Sequence, residues 1–145
     1  MPIGRLDHVN LRTHRLEEMI AWYTRVLEMP SGPRPDFPFP GAWLYADGLP
    51  TVHLNGCEHV AAQSSDLTLE HFAFKAHAPK PFIDRLKQIG ERFEVAFVPG
   101  APVLQINVWD PDGNHIHIDF AAAEAEGVDL PKPVAFGLGG KLTPT

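Results

Sequence analysis

The sequence predicts an α+β domain made of two tandem β-α-β-β-β modules, and three observations predict it. Histidines recur at a near-constant interval, His8 returning as His71 after 63 residues and His53 as His117 after 64. The segments around the first pair match in kind, Leu6-Asp7-His8-Val9-Asn10-Leu11 against Leu69-Glu70-His71-Phe72-Ala73-Phe74. Each of these is followed by one stretch of helical spacing and then by short strand-like runs, so one unit is written twice.

In the first half, Leu6 to Arg12 alternates as a strand, and Arg15 to Met29 switches to helical spacing through Leu16, Met19, Ile20, Tyr23, Val26 and Leu27. Pro30 to Pro40 is too proline-dense for a helix or a central strand and reads as a loop or an edge segment. Gly41 to Ala46 and Thr51 to Asn55 read as strands around the turn Asp47-Gly48-Leu49-Pro50. The second half repeats the order: a strand from Leu67 to Lys75, a helix launched by Pro79 and Pro81 and ended near Gly90, then strands at Phe93 to Val98, Val103 to Trp109 and Asn114 to Phe120. Asp110-Pro111-Asp112-Gly113 joins the last two as a tight hairpin. The expected organisation is a single domain, with module one at 4–56, a linker at 57–66, module two at 67–120 and a tail at 121–145. The tail reads as a short helix followed by an extended arm or by disorder.

Composition excludes several classes. With 145 residues and 44% hydrophobic content the chain can bury one ordinary core. A net charge of −6 without a basic cluster argues against a nucleic-acid partner, and no apolar run approaches a membrane span. Cys57 stands alone, so no internal disulfide forms, and the first residues lack the apolar core of a secretion signal. A cytoplasmic location is the expectation.

Strand alternation places Leu6, His8, Asn10 and Arg12 on one face of the first strand, and His115, His117 and Asp119 on one face of the last. Such polar faces line a wet cavity or meet solvent. If the modules pack about a local twofold axis, His8, His53, His71 and His117 can converge on one point, or on a pair of related points, that holds a divalent transition metal. Neutral imidazoles suit Fe(II), Zn or Ni better than Mg or Ca, and they leave the ion's charge free to bind an anionic small-molecule substrate. His115 lies close enough to His117 to act as acid or base, or it simply faces solvent. Trp43 and Tyr45 share a face and either line an apolar pocket, with Tyr45 as a proton donor, or pack as ordinary aromatics. Gln105 and Asn107 are expected to face the cavity and orient a polar substrate group, as is Asn10. His14 and His77 also differ by 63 positions, but at strand-to-helix junctions where capping or solvent exposure is expected. Arg12 and Lys75 read as rim charges or anion binders, Phe37 and Phe39 as a lid or a subunit contact, and Cys57 as non-catalytic.

The carriers Leu6-Asp7-His8-Val9, Trp43-Leu44-Tyr45 with Val52-His53-Leu54, Leu69-Glu70-His71-Phe72, and Asp110-Pro111-Asp112-Gly113-Asn114-His115-Ile116-His117-Ile118 together make the chain resemble the vicinal oxygen chelate superfamily over residues of about 5 to 120. That superfamily includes glyoxalase I, extradiol dioxygenases, and the fosfomycin and bleomycin resistance proteins. The resemblance implies eight mostly antiparallel strands forming an open barrel around a metal-binding cavity, with ligands at His8, His71 and His117 and, as in glyoxalase I, at His53. The final-strand ligand, usually glutamate in that family, is His117 here. The function expected is a metal-dependent enzyme acting on a small oxygen-chelating substrate, leaning to an extradiol-type dioxygenase. The alternatives are a glyoxalase-like lyase or isomerase, and a metal-free binding protein of the bleomycin-resistance type. A homodimer is expected, since small modules leave apolar surface to cover.

Overall fold

The computed structural model describes residues 3–58, 68–136 and the backbone of 142–143. The chain divides into two compact units, 1–63 and 64–145, each of which holds one module.

In the first unit, β1 (Val9–Thr13) leads into α1 (Leu16–Leu27), followed by β2 (Ser31–Gly32), β3 (Gly41–Ala46) and β4 (Leu49–Gly56). The sheet order is β1-β4-β3-β2, with β1 parallel to β4 and the other neighbours antiparallel. Helix α1 buries Met19, Trp22, Tyr23 and Val26, spaced to form one stripe, while Glu17 and Glu18 in its first turn and Arg25 in its last suit the helix dipole. That stripe faces the sheet side carrying Ala42, Leu44, Val52 and Leu54, all buried. Thus the proline-rich stretch is an edge segment containing one short strand. The Tyr45 ring lies so close over Gly32 that a Cβ there would stand 2.7 Å from Cε2, so any larger residue would push the ring aside.

The second unit repeats the topology with β5 (His71–Lys75), α2 (Pro79–Ile89), β6 (Glu94–Phe97), β7 (Val103–Trp109) and β8 (His115–Ala121), in sheet order β5-β8-β7-β6. Pro79 occupies the first turn of α2, and Ile83 and Leu86 are buried alongside Leu104, Ile106, Val108 and Ile116. The opposite sheet face is polar, carrying Gln105, Asn107, His115, His117 and Asp119. A mixed four-stranded sheet with one covering helix is therefore built twice, as the repeat predicts.

Three expectations need correction. The first strand begins at Val9 rather than Leu6, so Leu6 and His8 precede the ladder, and Leu6 is 80% exposed. The β3–β4 turn is only Asp47-Gly48, both left-handed, and β4 already includes Leu49 and Pro50. The strand expected from Leu67 begins at His71, with Leu67 itself outside the described residues. Of the linker at 57–66 only Cys57 and Glu58 are described. The tail holds a short 3-10 helix (Ala122–Ala125) and then β9 (Ala135–Phe136), which pairs with β10 (Leu142–Thr143); residues 137–141 and 144–145 lie outside the described residues. Among the described residues no helix is long and apolar enough to cross a membrane.

Candidate metal centre

Register decides which side chains meet. In the second unit β5 and β8 run parallel with His71 beside His115 and Ala73 beside His117, while β7 sets Asn107 opposite His117 and Trp109 opposite His115. The rings of His71 and His117 come to 4.3 Å between centroids, and His115 stands 5.5 Å from His71 and 6.1 Å from His117.

Carboxylates fix these rings. His71 donates from Nδ1 to Glu70 Oε2, and Glu70 Oε1 accepts from His115 Nδ1 at 2.9 Å. His117 donates from Nδ1 to Asp119 Oδ1 at 2.6 Å. An imidazole whose Nδ1–H is held by a carboxylate presents the lone pair of Nε2, the arrangement by which outer residues orient metal-binding histidines. His117 Nε2 is buried and has no hydrogen-bond partner, which in a native interior calls for an explanation. Ligand atoms of Glu70, His71 and His115 also lie within 4.8 Å of one another. His115 differs from the other two, because its Nε2 meets Asn107 Oδ1 at 2.7 Å while Asn107 Nδ2 donates to the Glu94 carbonyl. Both of its ring nitrogens therefore face acceptors.

In the first unit the same device recurs. His8 donates from Nδ1 to Asp7 Oδ2 at 2.6 Å, and His53 donates from Nε2 to the Pro50 carbonyl at 3.0 Å, leaving opposite nitrogens for a ligand. The two rings stack at 4.0 Å, and Trp43, the β3 neighbour of His53, stacks on it at 4.2 Å.

Electrostatics favours the protonation states a metal needs. Burial, reinforced by His71 and His115 and opposed by Asp119, lowers the pKa of His117. Burial and the neighbouring His8 lower that of His53, with Arg34 adding to the effect. For Glu70, burial works upward, yet hydrogen bonds from His71 and His115 prevail and hold the carboxyl below its ordinary range. His117 and His53 are thereby pushed toward the neutral form and Glu70 toward the ionised one. This donor set, with an orphaned buried Nε2, fits a borderline transition metal rather than Mg or Ca.

The other expected site residues lie as follows. Asn10 is exposed on β1 beside His53 in register, and Gln105 is half-buried opposite Asp119. Asn107 is fully buried, with both ends of its amide engaged. Tyr45 donates its hydroxyl proton to the Pro33 carbonyl. His14 is exposed, and the His77 side chain is 94% exposed. Sequence reasoning assigned no role to Asp7, Glu70 or Asp119. The available signal was that Asp7 and Glu70 recur, like the histidines they precede, 63 positions apart.

Neither a family model nor a curated protein sequence matches the chain. Solved structures do. A glyoxalase family protein from Bacillus anthracis superposes with a TM-score of 0.69 at 22% identity, over 83% of this chain and 98% of that one. A glyoxylase/bleomycin resistance protein/dioxygenase domain from Frankia sp. EAN1pec gives 0.68 at 17% identity, over 83% and 93%. A variant of the fosfomycin resistance protein FosX from Listeria monocytogenes, complexed with Mn(II) and 1S,2S-dihydroxypropylphosphonic acid, gives 0.64 at 14% identity, over 87% and 98%. The chain has the vicinal oxygen chelate fold. Within the vicinal oxygen chelate fold, this sequence sets a histidine at the mouth of each module's first strand and another on its last, each with one ring nitrogen already bonded to an oxygen.

Proposed function

We propose that the protein is a divalent-metal-dependent enzyme acting on a small substrate that chelates the ion through adjacent oxygens, of the extradiol dioxygenase type. The observation carrying this reading is His117, a buried imidazole oriented by Asp119 whose Nε2 has no partner, beside His71 oriented in the same way by Glu70. His71 and His117 are the ligands assigned in the second module, and His8 and His53 those in the first. Glu70 serves both rings of this module's mouth, one oxygen on His71 and the other on His115. A transition metal held by His71 and His117 would supply Lewis acidity and, as Fe(II), electrons for dioxygen.

The chain's own groups then handle the substrate. His115 is held by Glu70 at Nδ1, and its Nε2 faces the Asn107 amide oxygen at 2.7 Å. In the neutral tautomer with Nδ1–H on Glu70 the lone pair is on Nε2; turned from Asn107 to a substrate hydroxyl, that nitrogen takes the hydroxyl proton, and Glu70 stabilises the imidazolium that forms. Asn107 positions His115. Tyr45, committed to Pro33, holds the proline-rich segment rather than delivering a proton. Trp109 stacks on His115 at 5.2 Å and limits its rotation.

The test is elemental analysis of protein purified anaerobically without an affinity tag, followed by oxygen-electrode assays with catechols. Iron that is lost in His71→Ala/His117→Ala, together with catechol-dependent oxygen uptake, is expected. Zinc or nickel without oxygen uptake would replace this reading with the glyoxalase-like lyase. No uptake of iron, zinc or nickel would leave the binding protein.

A further inference from the structure

The first module carries an exposed aromatic array that its fold does not require. Phe37 and Phe39, 39% and 40% exposed, stack at 5.1 Å with planes 14° apart, and Phe37 approaches Trp43 at 6.4 Å. Trp43 in turn stacks on His53, which stacks on His8. The array therefore runs unbroken from solvent to the histidine pair of the same module.

A single cation is set into it. The Arg34 guanidinium carbon lies 4.9 Å from the Phe37 centroid and 5.1 Å from that of Phe39, so the three groups form a nearly equilateral triangle. Nη2 donates to the Phe39 carbonyl at 3.0 Å and fixes the fork. A Cβ at residue 41 would meet the Leu54 carbonyl oxygen at 2.3 Å and Nη2 at 2.9 Å, so Gly41 leaves room for both. Among the described residues no carboxylate pairs with Arg34, and its Nε, shielded from water, has no acceptor. Nη2 is shared with the Phe39 carbonyl and Nε is shielded from water, yet the guanidinium keeps donors to spare beside aromatic faces, which matches a planar ring bearing a carboxylate: the guanidinium takes the carboxylate and the faces take the ring. In a chain of net charge −6, an arginine without a carboxylate partner beside aromatic faces gives local selectivity for an anion.

We propose that Arg34, Phe37, Phe39 and Trp43 form the recognition subsite for an aryl carboxylate. Its identification as the substrate's non-reacting end rests on the enzyme reading above, but the binding itself does not.

The test is calorimetric titration of metal-free, full-length protein with benzoate, benzyl alcohol and acetate. Saturable benzoate binding is expected, with benzyl alcohol weaker by about tenfold and acetate weaker still. Arg34→Gln should erase the preference for benzoate over benzyl alcohol, Arg34→Lys should recover only part of it, and Phe37→Ala should weaken both aromatic probes alike. Far-UV circular dichroism checks that each variant folds; if Arg34→Gln does not, the comparison of probes on the unaltered protein still decides. Equal affinity for benzoate and benzyl alcohol, no benzoate heat, or an unchanged preference in Arg34→Gln would overturn the proposal. So would a dimer that buries Phe37, seen as dissociation of Phe37→Asp in sedimentation. Because no metal is present, absence of metal or of oxygen uptake in the earlier assays leaves this result standing.

Discussion

At the scale of single residues, His117 departs from what a stable core prefers. A buried nitrogen without a partner costs about 1–3 kcal/mol, which an apolar residue would avoid. Its neighbour Asp119 holds the other nitrogen and so fixes which lone pair is offered. Changing Asp119 to Asn is therefore expected to weaken zinc affinity by about 10–100-fold while leaving the far-UV spectrum unchanged, as read by competition with a chromogenic chelator. His117→Ala should remove binding at this module altogether. The lowered pKa of His117 also has a signed consequence for the metal-free protein. At neutral pH and above, folded and unfolded states both carry the neutral ring and it contributes nothing. As pH falls below about 6.5, the ordinary value, the unfolded chain takes up a proton that the folded one refuses, so stability declines with acidification. His53 adds to the same window. Denaturant midpoints measured between pH 7.5 and 5.5 should fall, and His117→Gln should flatten the slope; an unaltered slope would show that the burial of this ring does not govern the pH response.

At the scale of elements, the β7–β8 hairpin sets the register that brings His115 and His117 to Glu70 and Asn107. Asp110 holds its turn, accepting from the amides of Asp112 at 3.0 Å and Asn114 at 2.9 Å and from the Asn114 side chain at 2.8 Å, with Gly113 at a φ of 82°. Removing those acceptors in Asp110→Ala is expected to cost about 1–3 kcal/mol in urea denaturation and to lower metal affinity with it. By contrast Ile106→Ala, on the fully buried face of β7, should cost about 2–5 kcal/mol without a selective effect on metal. These elements were legible in the sequence because period-2 and helical spacings alternate cleanly and because prolines and glycines mark the boundaries. What was not legible lies at strand mouths. Alternation continues through Leu6 and Leu69, yet both are exposed, at 80% and 61%, since no neighbouring strand pairs with them. Periodicity in a sequence cannot see where a ladder stops. The same blindness hid the carboxylates: within a strand, residues i and i−1 point to opposite faces, so Glu70 reads as facing away from His71. Glu70 precedes β5, where the chain has not yet entered the ladder, and its side chain turns back to bond His71 and reach His115. Asp7 and His8 do the same before β1.

At the scale of the whole molecule, the repeat leaves each compact unit with its own sheet, helix and histidine pair, so a ligand's effect on stability can be localised to a unit. A metal that binds only the folded chain stabilises it by about 2.7 kcal/mol at a hundred times its dissociation constant. If the donors are His71 and His117, that gain must first appear in β5 and β8, because opening either strand separates the two rings. Zinc added to metal-free protein at neutral pH is therefore expected to slow amide exchange most strongly at Phe72 to Lys75 and Ile116 to Phe120, and to raise the thermal midpoint. In His117→Ala both effects should vanish while exchange in α1 keeps its metal-free rate. The linkage runs both ways: below the ordinary histidine range protons compete for the same nitrogens, so the zinc-induced protection should fade as pH drops. Protection that survives in His117→Ala, or that spreads evenly over β7, β8 and α2 without singling out β5, would place the ion on some other set of donors and would remove the support that the orphaned Nε2 gives to a metal-dependent chemistry.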